Sequence, residues 1–203
     1  KGVGGVSRVI NDIVIRPYRA GDRARVREIC LATADRGRPL PKDGLDGDLV
    51  ADMVTRYYTD IDSRWGWMAE EKGTVIGYSL AAVDTSAFRR AMMWQIVPGA
   101  VSHAILRGFL FSRAFRQMAR VFVRRRGRNV TPDFPIPGRY PAHLHINLLE
   151  GCRGRGVGER LIAKTVEQLS AANIRGVHAT VREDNPGACR FFERMDFTAL
   201  DHY

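Results

Sequence analysis

The hexapeptide Arg153-Gly-Arg-Gly-Val-Gly158 sets three glycines and two arginines between an apolar run and a helix-like run. Glycines let a backbone approach a ligand closely, and a helix N-terminus offers N–H groups at its positive dipole end. Such a turn suits a phosphate or pyrophosphate, with the two guanidiniums adding charge; a tight turn without a ligand is the plainer alternative. The spacing is G-x-G-x-G rather than the G-x-G-x-x-G of a dinucleotide-binding unit, and Glu183-Asp184 follow at a poor distance for a ribose. No Lys-Ser/Thr pair directly follows the glycines, so this is no Walker loop. Upstream, His143 and His145 alternate, so on a strand they share a face. Imidazoles so placed can move a proton near neutral pH, or simply serve as hydrogen-bonded structural groups. Cys30, Cys152 and Cys189 match no zinc spacing, and no metal site is expected.

The elements that must position these groups follow from pattern. The 203 residues suit one domain, 45% hydrophobic and 27% charged. No apolar run reaches the roughly 18 residues of a membrane span. Ile13–Pro17 reads as a first strand after a flexible segment over 1–11 without a signal-peptide core. Asp22 is expected to cap a helix whose Val26, Ile29, Cys30 and Thr33 share one face. Arg36–Asp48 is a loop and Leu49–Tyr58 a second helix. Trp67–Glu70 and Thr74–Val83 form a hairpin around Glu71-Lys-Gly73. Trp65, Trp67 and Tyr57 read as core or rim aromatics. Val101–Val123 fits one or two amphipathic helices. Ala142–Leu149 and Val177–Val181 are strands flanking the helix Glu159–Ala172. Asn185 and Pro186 open a last helix through Met195, and Phe197–Tyr203 begins a final strand.

The formal charge is +10, concentrated between His103 and Arg139, where nine arginines meet one acid, Asp133. Charge of this kind favours an anionic partner without naming it.

Arg153-x-x-Gly156-x-Gly158 and its helix, followed by Asn185-x-x-Ala188-x-x-Phe191-Phe192-Glu-Arg-Met-Asp-Phe197, resemble the coenzyme A core of the GNAT N-acetyltransferases. The resemblance spans about 60 residues, Leu144 to Phe197. The stretch Tyr140–Leu149 is also similar to bacterial members resembling the acetyltransferase-like domain of O-GlcNAcase. The implied fold is α/β (α+β): a mixed, mostly antiparallel sheet with helices on both faces and a splayed strand pair. The domain would cover 12–203, with a basic helical insertion at about 97–140 and the coenzyme A core at about 142–197. Acetyl-CoA would pair with the backbone at Leu148 and Leu149. Its pyrophosphate would sit on Arg153, Gly154, Arg155, Gly156, Val157 and Gly158, with Asn185 and Phe192 beside the pantetheine arm.

The implied reaction is acetyl transfer to a primary amine of a small molecule by direct attack in a ternary complex. Two residues depart from the family pattern: Phe192 stands where a tyrosine acid is usual, and Asn147 where an acid is usual. Either His145 or His143 is then the candidate base, or the amine loses its proton to water. Asp43, Asp46 and Tyr140 are the candidate acceptor contacts. The alternative is a catalytically impaired acyl-CoA-binding module. A third reading, a basic nucleic-acid-binding protein, lacks a recognisable nucleic-acid fold. A cytoplasmic setting without a membrane partner is expected, and a homodimer is left open.

Overall fold

A computed structural model describes residues 12–40, 46–106 and 139–200. Five strands pair in chain order: β1 (Ile13–Pro17), β2 (Gly66–Glu71), β3 (Thr74–Ala82), β4 (Ala142–Leu148) and β5 (Val177–His178). All neighbours are antiparallel except β4 and β5, which run parallel. Lys72 and Gly73 close the β2–β3 hairpin at φ 49° and 78°, the positive pair a two-residue turn needs to match strand twist.

Two apolar layers flank the sheet. On one face lie helix α1 (Arg23–Thr33) and helix α2 (Gly47–Arg56), the latter prolonged by a π turn over Tyr57–Ile61. The expected α1 stripe, Val26, Ile29, Cys30 and Thr33, is buried throughout. Val26 and Ile29 join Tyr58, Met68, Tyr78 and Leu80 in the larger core cluster. On the other face helix α5 (Val157–Ala171) sets Val157, Leu161 and Ile162 against Ala69, Ile76, Ala81 and Leu144. There Ser79 and Thr165 share a hydroxyl–hydroxyl hydrogen bond of 2.8 Å, which satisfies both inside an apolar layer.

The structure corrects several expectations. Asp22 does not cap α1. Its carboxylate accepts from Arg16 Nη1 (2.7 Å) and Nη2 (2.8 Å) and from the Arg19 N–H (2.8 Å). Those charge-assisted bonds outweigh a cap and hold its pKa below the usual carboxylate range, the Arg16 hydrogen bond first among the causes. A helix absent from the sequence reading, α3 (Thr85–Ala91), begins at Asp84, whose side chain accepts from Ser86 N and Ala87 N. It runs through a π turn into α4 (Val97–Leu106), so the helical segment starts before residue 97. Residues 107–138, which carry most of the arginine-rich stretch, lie outside the described residues. The strand expected over Val177–Val181 ends at His178. Phe197–Leu200 form no strand. The last helix, α6 (Pro186–Arg194), forms as read.

Candidate active site

β4 and β5 touch only at Ala142–Val177 and His143–His178, and β4 then runs alone to Leu148. The Leu149 N–H donates to Ile76 O at 3.1 Å. In the antiparallel register this turns the backbone groups of His143, His145 and Asn147 toward β3. Those of Leu144, Ile146 and Leu148 therefore face the gap that β5 leaves. A row of donors and acceptors at strand spacing can pair with an extended, amide-bearing chain. Leu149 falls outside that row, because its carbonyl accepts from Cys152 N and its N–H is spent on β3.

The glycine-rich turn closes one end of the gap. Gly154 and Gly156 have φ 71° and 72°, in the region glycine enters without steric cost. Gly156 caps α5, and a Cβ on Gly154 would meet nothing within 4 Å. The turn is thus open on its outer side, with the first N–H groups of α5 beneath it. Gly158 is needed for space: a Cβ there would lie 2.9 Å from Phe191 Cε2.

The two arginines direct their N–H donors elsewhere, and only Arg155 has its charge matched by a carboxylate. Arg153 donates to Gly37 O at 2.6 Å and to Leu148 O at 3.1 and 3.2 Å. Arg155 is paired with Glu71 on the β2–β3 hairpin, which draws the Glu71 pKa down. Beyond the gap, Arg36 pairs with Asp184 at 2.6 Å. With the Gly37 contact, the loop after α1 thus reaches both the turn and the segment before α6. Arg182 and Arg36 hold Asp184 down to about 2. Asn185 spends its side-chain oxygen on Ala188 N at 3.2 Å, capping α6. Phe192 sits edge-on between Phe191 and Phe197, at centroid distances of 5.3 and 5.0 Å.

Three imidazoles gather where the strands part. His143 and His145 share the face of β4 that looks toward α2, and His178 stands beside His143 with ring centroids 5.7 Å apart. Partners fix the state of His143. Thr85 Oγ1 donates its one hydrogen to Pro141 O at 2.8 Å, so it must accept from His143 Nδ1 at 3.1 Å. The other ring nitrogen is then the acceptor, and buried Tyr58 donates to Nε2 at 2.8 Å. Burial lowers the His143 pKa to about 3. Both nitrogens are committed, so His143 is a structural group here and not a free base.

His145 differs. It is accessible to solvent on one side, and no side-chain hydrogen bond to its ring is found among the described residues. Its ring stands edge-on to Tyr58, with centroids 5.4 Å apart. Crowding by the surrounding protein still lowers its pKa, to about 4. His145 is therefore the neutral, accessible imidazole of the cluster. Asn147 donates from Nδ2 to the buried Tyr78 hydroxyl at 2.7 Å.

The acceptor candidates scatter. Asp46 caps α2, accepting from Asp48 N at 2.9 Å and Leu49 N at 3.4 Å. Asp43 lies outside the described residues. Tyr140 packs on Gly176, where a Cβ would come within 2.6 Å of its ring, and its carbonyl accepts from His178 Nδ1 at 3.0 Å. Tyr58 and Thr85 were missed. The Asp-Thr-Ser run at Asp84–Ser86 was the signal for α3 and hence for Thr85; Tyr58 had none, since its partner is 85 residues away. Among the described residues no cluster of three or more His, Cys, Asp or Glu could hold a metal ion.

Residues 130–197 match the pattern of the acetyltransferase (GNAT) family. That segment is similar to the GNAT acetyltransferases. The similarity of fold reaches beyond that segment. The crystal structure of SsHAT is 26% identical, covers 92% of this chain and 91% of its own, and superposes with a TM-score of 0.74. YncA from Salmonella typhimurium, solved with its cofactor acetyl-CoA, is 16% identical with a TM-score of 0.54, covering 94% of this chain and 82% of its own. An agmatine N-acetyltransferase in its apo form is 17% identical with a TM-score of 0.54, covering 94% and 84%. Those last two similarities speak to the fold.

Proposed function

We propose that this chain transfers the acetyl group of acetyl-CoA to the primary amine of a small molecule, by direct attack in a ternary complex. The observation that carries the reading is the gap itself. An unpaired edge of β4 ends at a turn whose outer side is open, and a neutral, accessible imidazole stands on the acceptor face. The residues fit the donor. Leu144, Ile146 and the Leu148 N–H would pair with its amides, the Leu148 carbonyl being taken by Arg153, and the N–H groups of Val157 and Gly158 would hold its pyrophosphate. Bound there, acetyl-CoA supplies an activated acyl carbon.

The amine nitrogen bonds to that carbon and the carbon–sulfur bond breaks. The nitrogen sheds one proton, and the departing sulfur gains one. An imidazole with a pKa of about 4 does not strip a free ammonium; it takes the proton after attack, when the nitrogen has become acidic. His145 is the group placed to do so and to pass the proton toward the sulfur, since Phe192 has no hydroxyl to give. Proximity alone supplies up to ~7–11 kcal/mol of such a barrier in favourable cases. The agmatine enzyme, named for an amine acceptor, and YncA, solved with acetyl-CoA, share this fold and support the class of reaction proposed.

A second reading has its own support. Phe192, Asn147 and the committed His143 leave one weak base, which also suits a module that binds acyl-CoA with little chemistry. Incubation with acetyl-CoA and a panel of primary amines, read by mass spectrometry and free thiol release, separates the two. Acetylated amine with matching thiol supports transfer. Saturable acetyl-CoA binding without product supports the module.

A further inference from the structure

One amide on the acceptor face has a bonding capacity that the fold does not use. Asn147 follows His145 by two residues on β4, so both side chains lie on the face that looks toward α1 and α2. Asn147 stands directly across from Tyr78 on β3, and its Nδ2 donates to the Tyr78 hydroxyl at 2.7 Å. Tyr78 is fully buried and also hydrogen-bonds Cys30 of α1. The amide is thereby held by its nitrogen end. Its Oδ1 has no hydrogen bond among the described residues and is not sealed from solvent.

An amide oxygen accepts up to two hydrogen bonds, so Oδ1 has room for a ligand donor. The accessible His145 ring beside it is open in the same way. Residues two apart on a strand are separated by about 6.6 Å, close to two hydrogen bonds of about 3 Å laid end to end. A nitrogen held between the two side chains therefore reaches both.

We propose that Asn147 is a specificity residue whose Oδ1 accepts one N–H of the attacking nitrogen while His145 takes the other hydrogen, so that primary amines are used in preference to secondary ones. This rests on the acetyl-transfer reading and deepens it. A neutral primary amine carries two hydrogens. Its lone pair bonds to the acyl carbon, the carbon–sulfur bond breaks, and one hydrogen leaves as a proton to His145 and on to the sulfur. The other stays on the nitrogen of the product amide, bonded to Oδ1 throughout. A neutral secondary amine has only the hydrogen that must leave, so it cannot serve both groups. The lack of charge on Asn147 suits this role: a carboxylate there would stabilise the ammonium, whose nitrogen has no lone pair to attack with.

The test uses three isomeric acceptors: n-butylamine, 2-aminobutane and N-methylpropylamine. The second keeps both N–H groups while adding a branch, which separates hydrogen bonding from bulk. Each is measured with saturating acetyl-CoA on the parent chain, Asn147→Ala and Tyr78→Phe. Both primary amines should show a kcat about tenfold or more above that of the secondary amine, the worth of one hydrogen bond to a group gaining positive charge. KM should differ little, because all three protonated forms carry at least two N–H groups. Asn147→Ala should lose most of that preference. Tyr78→Phe, which unties the amide and leaves Oδ1 in place, should lose part of it.

A direct readout accompanies the kinetics. The side-chain amide resonances of Asn147 in the coenzyme A-loaded protein should shift on addition of n-butylamine and not of tetramethylammonium, which has the charge and no N–H. A preference unchanged in Asn147→Ala, with no selective shift, overturns the assignment of Asn147 and leaves acetyl transfer standing. A selective shift with no product from any acceptor supports Asn147 as the amine contact and overturns the transfer reading instead.

Discussion

The Tyr58 hydroxyl donates to His143 Nε2 across 2.8 Å, joining the end of α2 to the parting point of β4 and β5. With Thr85 on the opposite ring nitrogen, this bond makes one of two alternating histidines a fixture and leaves the other accessible.

The two histidines should therefore fail differently. His145→Ala should lower kcat by about 10²-fold or more, the range of a lost acid–base group, with acetyl-CoA affinity unchanged. His143→Ala should instead strand the Tyr58 hydroxyl and cost about 1–3 kcal/mol of stability. Thermal melts and steady-state kinetics on both variants separate the roles; equal kinetic losses with equal melting temperatures would refute the division.

The pH behaviour follows from the same rings. Folded His143 and His145 titrate at about 3 and about 4, whereas an unfolded histidine titrates near about 6.5. The unfolded chain thus binds more protons as pH drops below that value, so stability from these groups is full above it and drains away toward pH 4. The melting temperature should fall between pH 7 and 5, and His143→Gln should flatten the slope. The rate should show no limb near pH 6.5, rising instead with the acceptor's own ionisation. A limb at 6.5 that disappears in His145→Gln would contradict the lowered pKa.

Glycines of the turn should separate backbone strain from steric blockage. Gly154 sits at φ 71° with open space around it, so Gly154→Ala costs about 1–2 kcal/mol through its left-handed backbone alone. Gly158→Val drives a side chain into Phe191 and should cost more, while also abolishing acetyl-CoA binding. Chemical denaturation and a ligand titration on both check the order.

Asp46 should prove structural. Asp46→Ala removes the cap of α2 and should cost about 1 kcal/mol, with KM for every amine unchanged. A raised KM with undiminished stability would restore it to the acceptor site.

Where contacts are local, the sequence reading and the structure agree. The α1 stripe, the Lys72–Gly73 hairpin, α5 and the Asn185 cap each depend on residues within one or two turns of each other. Apart from α3, whose local cap signal at Asp84 went unread, the misreadings involve competing partners elsewhere in the chain. Arg153 and Arg155 look like phosphate ligands until Gly37, 116 residues away, and Glu71, 84 residues away, take their guanidiniums. Val177–Val181 alternates as a strand should, yet a strand needs a partner, and β4 has diverged by His178. Asp22 has the type and position of a cap, but Arg16 on β1 competes for it and wins. The family resemblance carried the cofactor reading, because the parting of two strands leaves no mark in either strand's own residues.

The most direct test of the account is a calorimetric titration of the chain with acetyl-CoA at moderate salt. Saturable binding of one ligand per chain is the predicted result, since the strand gap and the open turn form a single site. Absence of binding would mean that the unpaired edge of β4 and the glycine turn are purely structural, and the acetyl-transfer reading would fall with them.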